Sequence, residues 1–200
     1  MNNTEYPSFA GNVQFYPRPV DDRKLKEHFI ERFQAVSGEY FNLPGESEID
    51  RWGMNFFRDN NIRKVVVAGP PMGSEIREFL RDKVEVLADF AEDNLTREQT
   101  IEVCAMADAG ITGADGMIAD SGSVVCGSLS HGDRLVSLLP PIHIVAAFGV
   151  PLFEDFDRFM KITPKNLTYA IITGPSRTAD IEKQIVLGAH GPRRMIVWGV

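Results

Sequence analysis

Cysteine is scarce in this chain: two residues in 200, Cys104 and Cys126, with no C-x-x-C pair and no histidine beside either. An iron–sulfur cluster usually needs about four thiolates, and a structural zinc a similar set of Cys and His ligands. Neither is expected on this chain alone. Both cysteines stand among apolar neighbours and read as buried core thiols. Long apolar runs are missing too. The longest, around residues 142–148, falls far short of the roughly 20 residues that span a bilayer. Residues 1–20 lack a basic start followed by an apolar stretch, which argues against a secretory signal and for the cytoplasm. Positive charge is outnumbered: 21 Lys and Arg against 28 Asp and Glu leave a net charge of -7. Such a surface repels nucleic-acid phosphates. There is no repeat, no low-complexity tract and no G-x-x-x-x-G-K-[ST] loop, so nothing points to a nucleoside triphosphatase.

What is present suits one soluble α/β domain. Hydrophobic residues make up 44% of the chain, enough at this length for a single substantial core. Residues 1–20 read as a flexible N-terminal arm and residues 21–200 as the domain. Leu25, Phe29, Phe33 and Val36 recur at helical spacing, with Gly38 as a stop. A second helix is expected over 46–60, burying Ile49, Trp52 and Phe56. The β-branched run 64–68 reads as a buried strand, followed by a helix over 74–81 and a strand over 84–88. Thr96 and Gln99 form a capping-box pattern that opens a helix towards Asp108. Strands are expected over 110–113, 123–126, 142–147, 169–173 and 195–200. Residues 178–187 read as a helix, with Thr178 as cap, Ile181 and Ile185 four apart, and Gly188 beyond the end. This alternation predicts a parallel-rich central sheet with helices on both faces and a helical N-terminal extension.

In open parallel sheets ligands gather outside the carboxyl ends of the strands, and two glycine-rich stretches are expected near strand ends. The first holds Gly174, Pro175, Ser176, Arg177, Thr178 and Asp180. Hydroxyls and a guanidinium at a helix entrance suit a small carboxylate or phosphate. The plainer reading makes Thr178 a cap and Arg177 a partner for a surface carboxylate. The second stretch holds His190, Gly191, Arg193 and Arg194. It suits the same anion, or else is a helix C-cap with basic residues complementing the dipole. His143 alternates with apolar neighbours and reads as structural or as pointing to the site. His131 and Asp133 read as a solvated turn. Asp115, Asp120 and the scattered histidines lack metal-ligand spacing, so no metal is expected.

Together these stretches resemble the LUD domain family of lactate-utilisation proteins. Gly174-Pro-Ser-Arg-Thr-Ala-Asp-Ile-Glu182 and Gly188-Ala-His-Gly-Pro-Arg193 are similar to its C-terminal signature. Residues 110–125 and 138–145 resemble the family segments that precede it. The resemblance covers about residues 96–200, and with no cysteine-rich segment the chain looks like the shorter C-type protein. It implies a CoA-transferase-like fold, akin to sugar-phosphate isomerases and formyltetrahydrofolate cyclo-ligases. It also implies a part in oxidising L-lactate to pyruvate beside A- and B-type partners that carry the iron–sulfur clusters, with no cofactor on this chain.

Where the family shows Ala-Glu-Thr-Gly-Thr, this chain has Ala119-Asp120-Ser121-Gly122-Ser123. Asp120 is then either an analogue of the acyl-attacking glutamate of some CoA transferases, acting as nucleophile or base, or the cap of its own turn. Ser121, Gly122 and Ser123 join the candidate ligand site. Asp120, Ser176, Arg177 and His190 are expected to converge on one cleft. Two other functions remain open at this point. One is a stand-alone enzyme acting on an acyl-CoA, a sugar phosphate or a folate. The other is a non-catalytic sensing or scaffold subunit, with an apolar patch near residues 153–160 as its docking surface.

Overall fold

The structure, a computed structural model, describes residues 22–43, 49–69, 71–72, 74–128, 131–162, 168–179, 185–188 and 190–199. The arm expected over 1–20 and the candidate Asp180 lie outside them. In chain order the elements begin with α1 (Asp22–Ala35), β1 (Glu39–Asn42), α2 (Ile49–Asp59), β2 (Lys64–Val67), α3 (Ser74–Lys83) and β3 (Glu85–Asp89). Then follow α4 (Arg97–Met106), β4 (Ala109–Gly113), β5 (Gly116–Ile118), β6 (Ser123–Ser128), α5 (His131–Val136) and β7 (Ile142–Ala147). The chain closes with β8 (Leu152–Phe153), α6 (Phe156–Ile162), β9 (Thr168–Ile172), β10 (Arg177–Ala179), β11 (Ile185–Leu187) and β12 (Arg194–Gly199).

Six strands pair in parallel in the order β1-β12-β7-β4-β2-β3. Both faces of such a sheet must be covered, which is why β2, β7 and β12 are almost wholly apolar. On one face Ile111, Ile144, Ile196 and Trp198 pack with Phe56 and Phe57 of α2 and Leu80 of α3. On the other, Val145 and Val197 meet Phe29 and Phe33 of α1, while Val66 meets Cys104 of α4 and Val136 of α5. Each fully buried side chain of this size contributes about 1.5–3 kcal/mol of transfer free energy. The capping box is present: Thr96 accepts from the Gln99 N–H, and the Gln99 side chain accepts from the Thr96 N–H.

A second sheet, β8-β5-β6-β9, covers the α1 side of the first, and Val124 and Cys126 of β6 join that core. Three parts of the sequence reading need correction. The described ends of the helix expected over 178–187 are strands: β10 and β11 pair antiparallel, Arg177 opposite Leu187 and Ala179 opposite Ile185. The four-residue spacing of Ile181 and Ile185 fits a helix locally, but strand pairing depends on a partner that local spacing cannot see. His131 and Asp133 belong to α5 rather than to a solvated turn, and Asp133 Oδ1 accepts from the Gly69 N–H at 2.8 Å. The N-terminal part is more than a helical extension, because β1 forms an edge of the main sheet beside β12.

Candidate functional site

A cavity of about 340 Å³ lies between the two sheets, at the amino ends of β7 and β12. Its floor includes His143 and Met195, each the second residue of its strand, and its roof includes Ala170 and Ile172 of β9. The end of α5 adds Arg134, Ser137 and Leu138. The rim comes from the two glycine-rich stretches: Gly174, Pro175 and Ser176 on one side, His190, Gly191 and Pro192 on the other. Backbone bonds zip these loops together. The Ser176 N–H donates to Pro192 O at 2.9 Å, and the Gly188 N–H to Ser176 O at 2.8 Å.

Gly174 has φ +74°, and a Cβ there would collide with Val36 O just beyond α1. Glycine therefore lets β9 turn tightly beneath the helix end. The turn after β5 uses the same device. Gly122, at φ +61°, lies against the backbone of Arg32 and Phe33. From that turn a chain of hydroxyls runs to the cavity: Ser121 Oγ to Ser123 Oγ at 2.7 Å, then Ser123 Oγ to Thr173 Oγ1 at 2.7 Å. Thr173 lines the cavity.

Ser176, Gly174, Pro175, His190 and Gly191 are thus brought together, with Ser123 one hydroxyl bond from Thr173, Ser121 two, and Gly122 between them in the turn. Other candidates stand apart. Asp120 is exposed, its N–H donates to Glu154 O at 3.0 Å, and it is not among the lining residues. Arg177 and Thr178 lie in β10, outside the lining, and Arg177 is exposed. Arg177 and Thr178 belong to a strand paired with β11, so they do not stand at a helix N-terminus. Arg193 is exposed and its N–H donates to Pro141 O at 2.8 Å. Arg194 makes a two-pronged contact with Glu39, 2.7 Å on each prong, and donates to Asn60 Oδ1. That guanidinium ties β12 to β1.

Sequence reasoning passed over Thr112, Arg134, Ser137 and Thr173. Thr112 and His143 carried a signal: each is a polar residue at an inward position of an otherwise apolar strand. In the structure His143 Nε2 lies 2.9 Å from Thr112 Oγ1, and Thr112 Oγ1 lies 3.6 Å from Cys126 Sγ. Burial pushes the His143 imidazole down to about 4 and the Cys126 thiol up to about 12. Near neutral pH the imidazole is uncharged, and Cys126 is a thiol that donates to Gly113 O rather than a nucleophile. Among the described residues the lining includes hydroxyls, two imidazoles and one guanidinium, and no carboxylate. A small anion suits such a wall better than a cation does. Among the described residues no cluster of three or more His, Cys, Asp or Glu could hold a metal.

The LUD domain matches residues 26–198. This chain belongs to the LUD domain family. It is 34% identical over 188 residues to the lactate utilization protein C of Halalkalibacterium halodurans, covering 85% of this chain and 80% of that protein. With the lactate utilization protein C of Bacillus subtilis it shares 34% identity over 181 residues, 86% of this chain and 67% of the relative. The fold matches that of a DUF162 family protein from Deinococcus radiodurans at a TM-score of 0.61 and 20% identity, over 91% of this chain and 99% of that one. No helix among the described residues of this LUD protein is long and apolar enough to cross a membrane.

Proposed function

We propose that this LUD protein is a component of an L-lactate oxidation system, to which it contributes a binding site for a small carboxylate. The observation that carries the reading is the cavity between the sheets, lined by His143, His190, Arg134 and hydroxyls, with no acidic residue among the described residues of its wall. The name of its C-type relatives gives the substrate class. In this reading A- and B-type partners hold the iron–sulfur clusters. They take the two electrons that lactate loses on becoming pyruvate, while its two protons pass to solvent. The cysteines of this chain stay in the core, since Cys104 and Cys126 are both buried and far from the thiolate range.

The test is reconstitution. The full chain, purified beside A- and B-type lactate-utilisation proteins of the same organism, is assayed for lactate-dependent reduction of an electron-accepting dye. Omitting this chain is expected to abolish most of the rate, and adding it back to restore it. A rate indifferent to this chain, together with no co-purification, would overturn the proposal. Calorimetry of the isolated protein with lactate, pyruvate and inorganic phosphate then identifies the anion.

A further inference from the structure

Four buried side-chain polar atoms among the described residues have no hydrogen-bond partner: Tyr40 Oη, His143 Nδ1, Tyr169 Oη and Trp198 Nε1. Of these residues only His143 also lines the cavity. Its side chain is fixed at the other nitrogen by Thr112 and the residue is 1% exposed. A buried polar atom left unpaired costs roughly 1–3 kcal/mol, and here it belongs to a residue that lines a cavity, where a ligand can supply the partner.

We infer that the inner end of the cavity recognises the uncharged α-oxygen of a small hydroxy- or oxo-acid through Nδ1 of His143. This rests on the small-carboxylate reading above and adds the ligand's orientation and the residue that selects it. The two imidazoles mark the two ends, His143 buried and His190 exposed. Because burial keeps the His143 ring neutral, it offers no charge to a carboxylate and suits an uncharged oxygen. The carboxylate then faces the outer end, where Arg134, Ser176 and His190 line the wall. Leu138, Ala170, Ile172 and Met195 receive the short alkyl group. Imidazole nitrogen is a better acceptor than thiol sulfur, so the Thr112 hydroxyl donates to Nε2 and leaves Nδ1–H as the inward donor. That donor serves a hydroxyl or a carbonyl oxygen, so lactate and pyruvate both fit. Propionate, which lacks the α-oxygen, leaves the donor buried and unpaired. A site built to meet a polar group discriminates strongly against the analogue without it.

Two substitutions separate recognition from packing. The His143→Gln amide reaches the Nε2 position and keeps the Thr112 bond, but has nothing at Nδ1. The His143→Asn amide occupies the Nδ1 position and loses the Thr112 bond. Calorimetry of the full chain with L-lactate, pyruvate and propionate is expected to show the first two binding at least about tenfold tighter than propionate. H143Q should melt near the parent and lose this preference, while H143N melts lower and retains part of it. Nitrogen NMR of the parent gives a reading that needs no variant: the His143 Nδ1 signal should move with lactate and stay put with propionate. Equal binding of all three acids, a preference retained in H143Q, or an Nδ1 signal indifferent to lactate would overturn this inference alone. Failure of all three acids to bind the parent would overturn the small-carboxylate reading with it.

Discussion

The carboxyl ends of the main sheet and its amino ends use their polar residues differently. At the carboxyl ends they hold the fold. Asp89, closing β3, is ion-paired with Arg77 and, at 3.1 Å, with Arg81. Asp133 accepts from the Gly69 N–H beyond β2, and Asp115, just past β4, accepts from the Gly127 N–H at 2.5 Å. At the amino ends of β7 and β12 the described polar residues line a cavity instead, with His143 bonded at one nitrogen only. Arg194, in the same region, is engaged with Glu39 and Asn60. Ligands of open parallel sheets gather at the carboxyl ends because crossover loops diverge there. Here a second sheet lies over the first and creates a space at the opposite end, which that rule does not cover.

The largest effect should come from breaking the carboxyl end. Asp89 is 6% exposed and the Arg77 side chain 12% exposed. Asp89→Ala strands the Arg77 charge, and removing one member of a buried pair costs about 3–5 kcal/mol. Urea unfolding should show that loss, while the fraction still folded binds lactate with the parent's affinity. A loss well under about 1 kcal/mol, or an affinity that falls with it, would erase the division of labour between the ends.

A somewhat smaller effect follows from pH. Burial holds the His143 imidazole at about 4, below its ordinary 6.5. As pH falls through about 6.5 the unfolded chain takes up this proton, whereas the folded chain resists until near 4. The contribution is therefore complete above 6.5 and lost between 6.5 and 4, on the order of 3 kcal/mol in all. His143→Gln removes the titrating group and leaves all others. The gap between the parent's unfolding free energies at pH 7 and pH 4.5 should exceed that of the variant by about 2–3 kcal/mol. Equal gaps would show that the imidazole is not kept neutral, and the contrast between a paired end and an open end would weaken.

These residues also show what a single sequence discloses. The parallel sheet was legible because β2, β7 and β12 are runs of β-branched and apolar residues, and the Thr96–Gln99 box marked the start of α4. The rim of the cavity was legible because glycine and proline gather in 174–176 and 191–192. The pairing of β10 with β11 was not. Thr178 and the apolar spacing beyond it satisfy a helix locally, and the strand pairing that wins is a non-local term. Short β1, β5 and β8 run too briefly for their alternation to register. The cavity's deeper wall was hidden for a further reason. Thr112 and His143 lie on neighbouring strands β4 and β7, and nothing short of the sheet order brings them together.

The smallest expected effects test the residues on which the sequence placed most chemistry. Arg177→Ala and Asp120→Ala each remove an exposed side chain outside the cavity wall. Exposed substitutions away from caps and buried networks usually change stability by less than about 0.5 kcal/mol. A guanidinium that touches an anion is worth far more, roughly 1.5–3 kcal/mol, or about tenfold to a hundredfold in affinity. Acting only through water, two unit charges roughly 10 Å apart interact by about 0.4 kcal/mol, and salt reduces that further. Removing Arg177 should therefore weaken lactate binding by no more than about twofold. Removing Asp120, which carries the opposite sign, should leave the affinity unchanged or raise it slightly. Calorimetry on both variants at low and high salt reads these outcomes directly. A hundredfold loss in Arg177→Ala would extend the site past Ser176 and make β10 part of the binding surface. A loss of lactate oxidation in Asp120→Ala with binding intact would return the chemistry to the turn after β5.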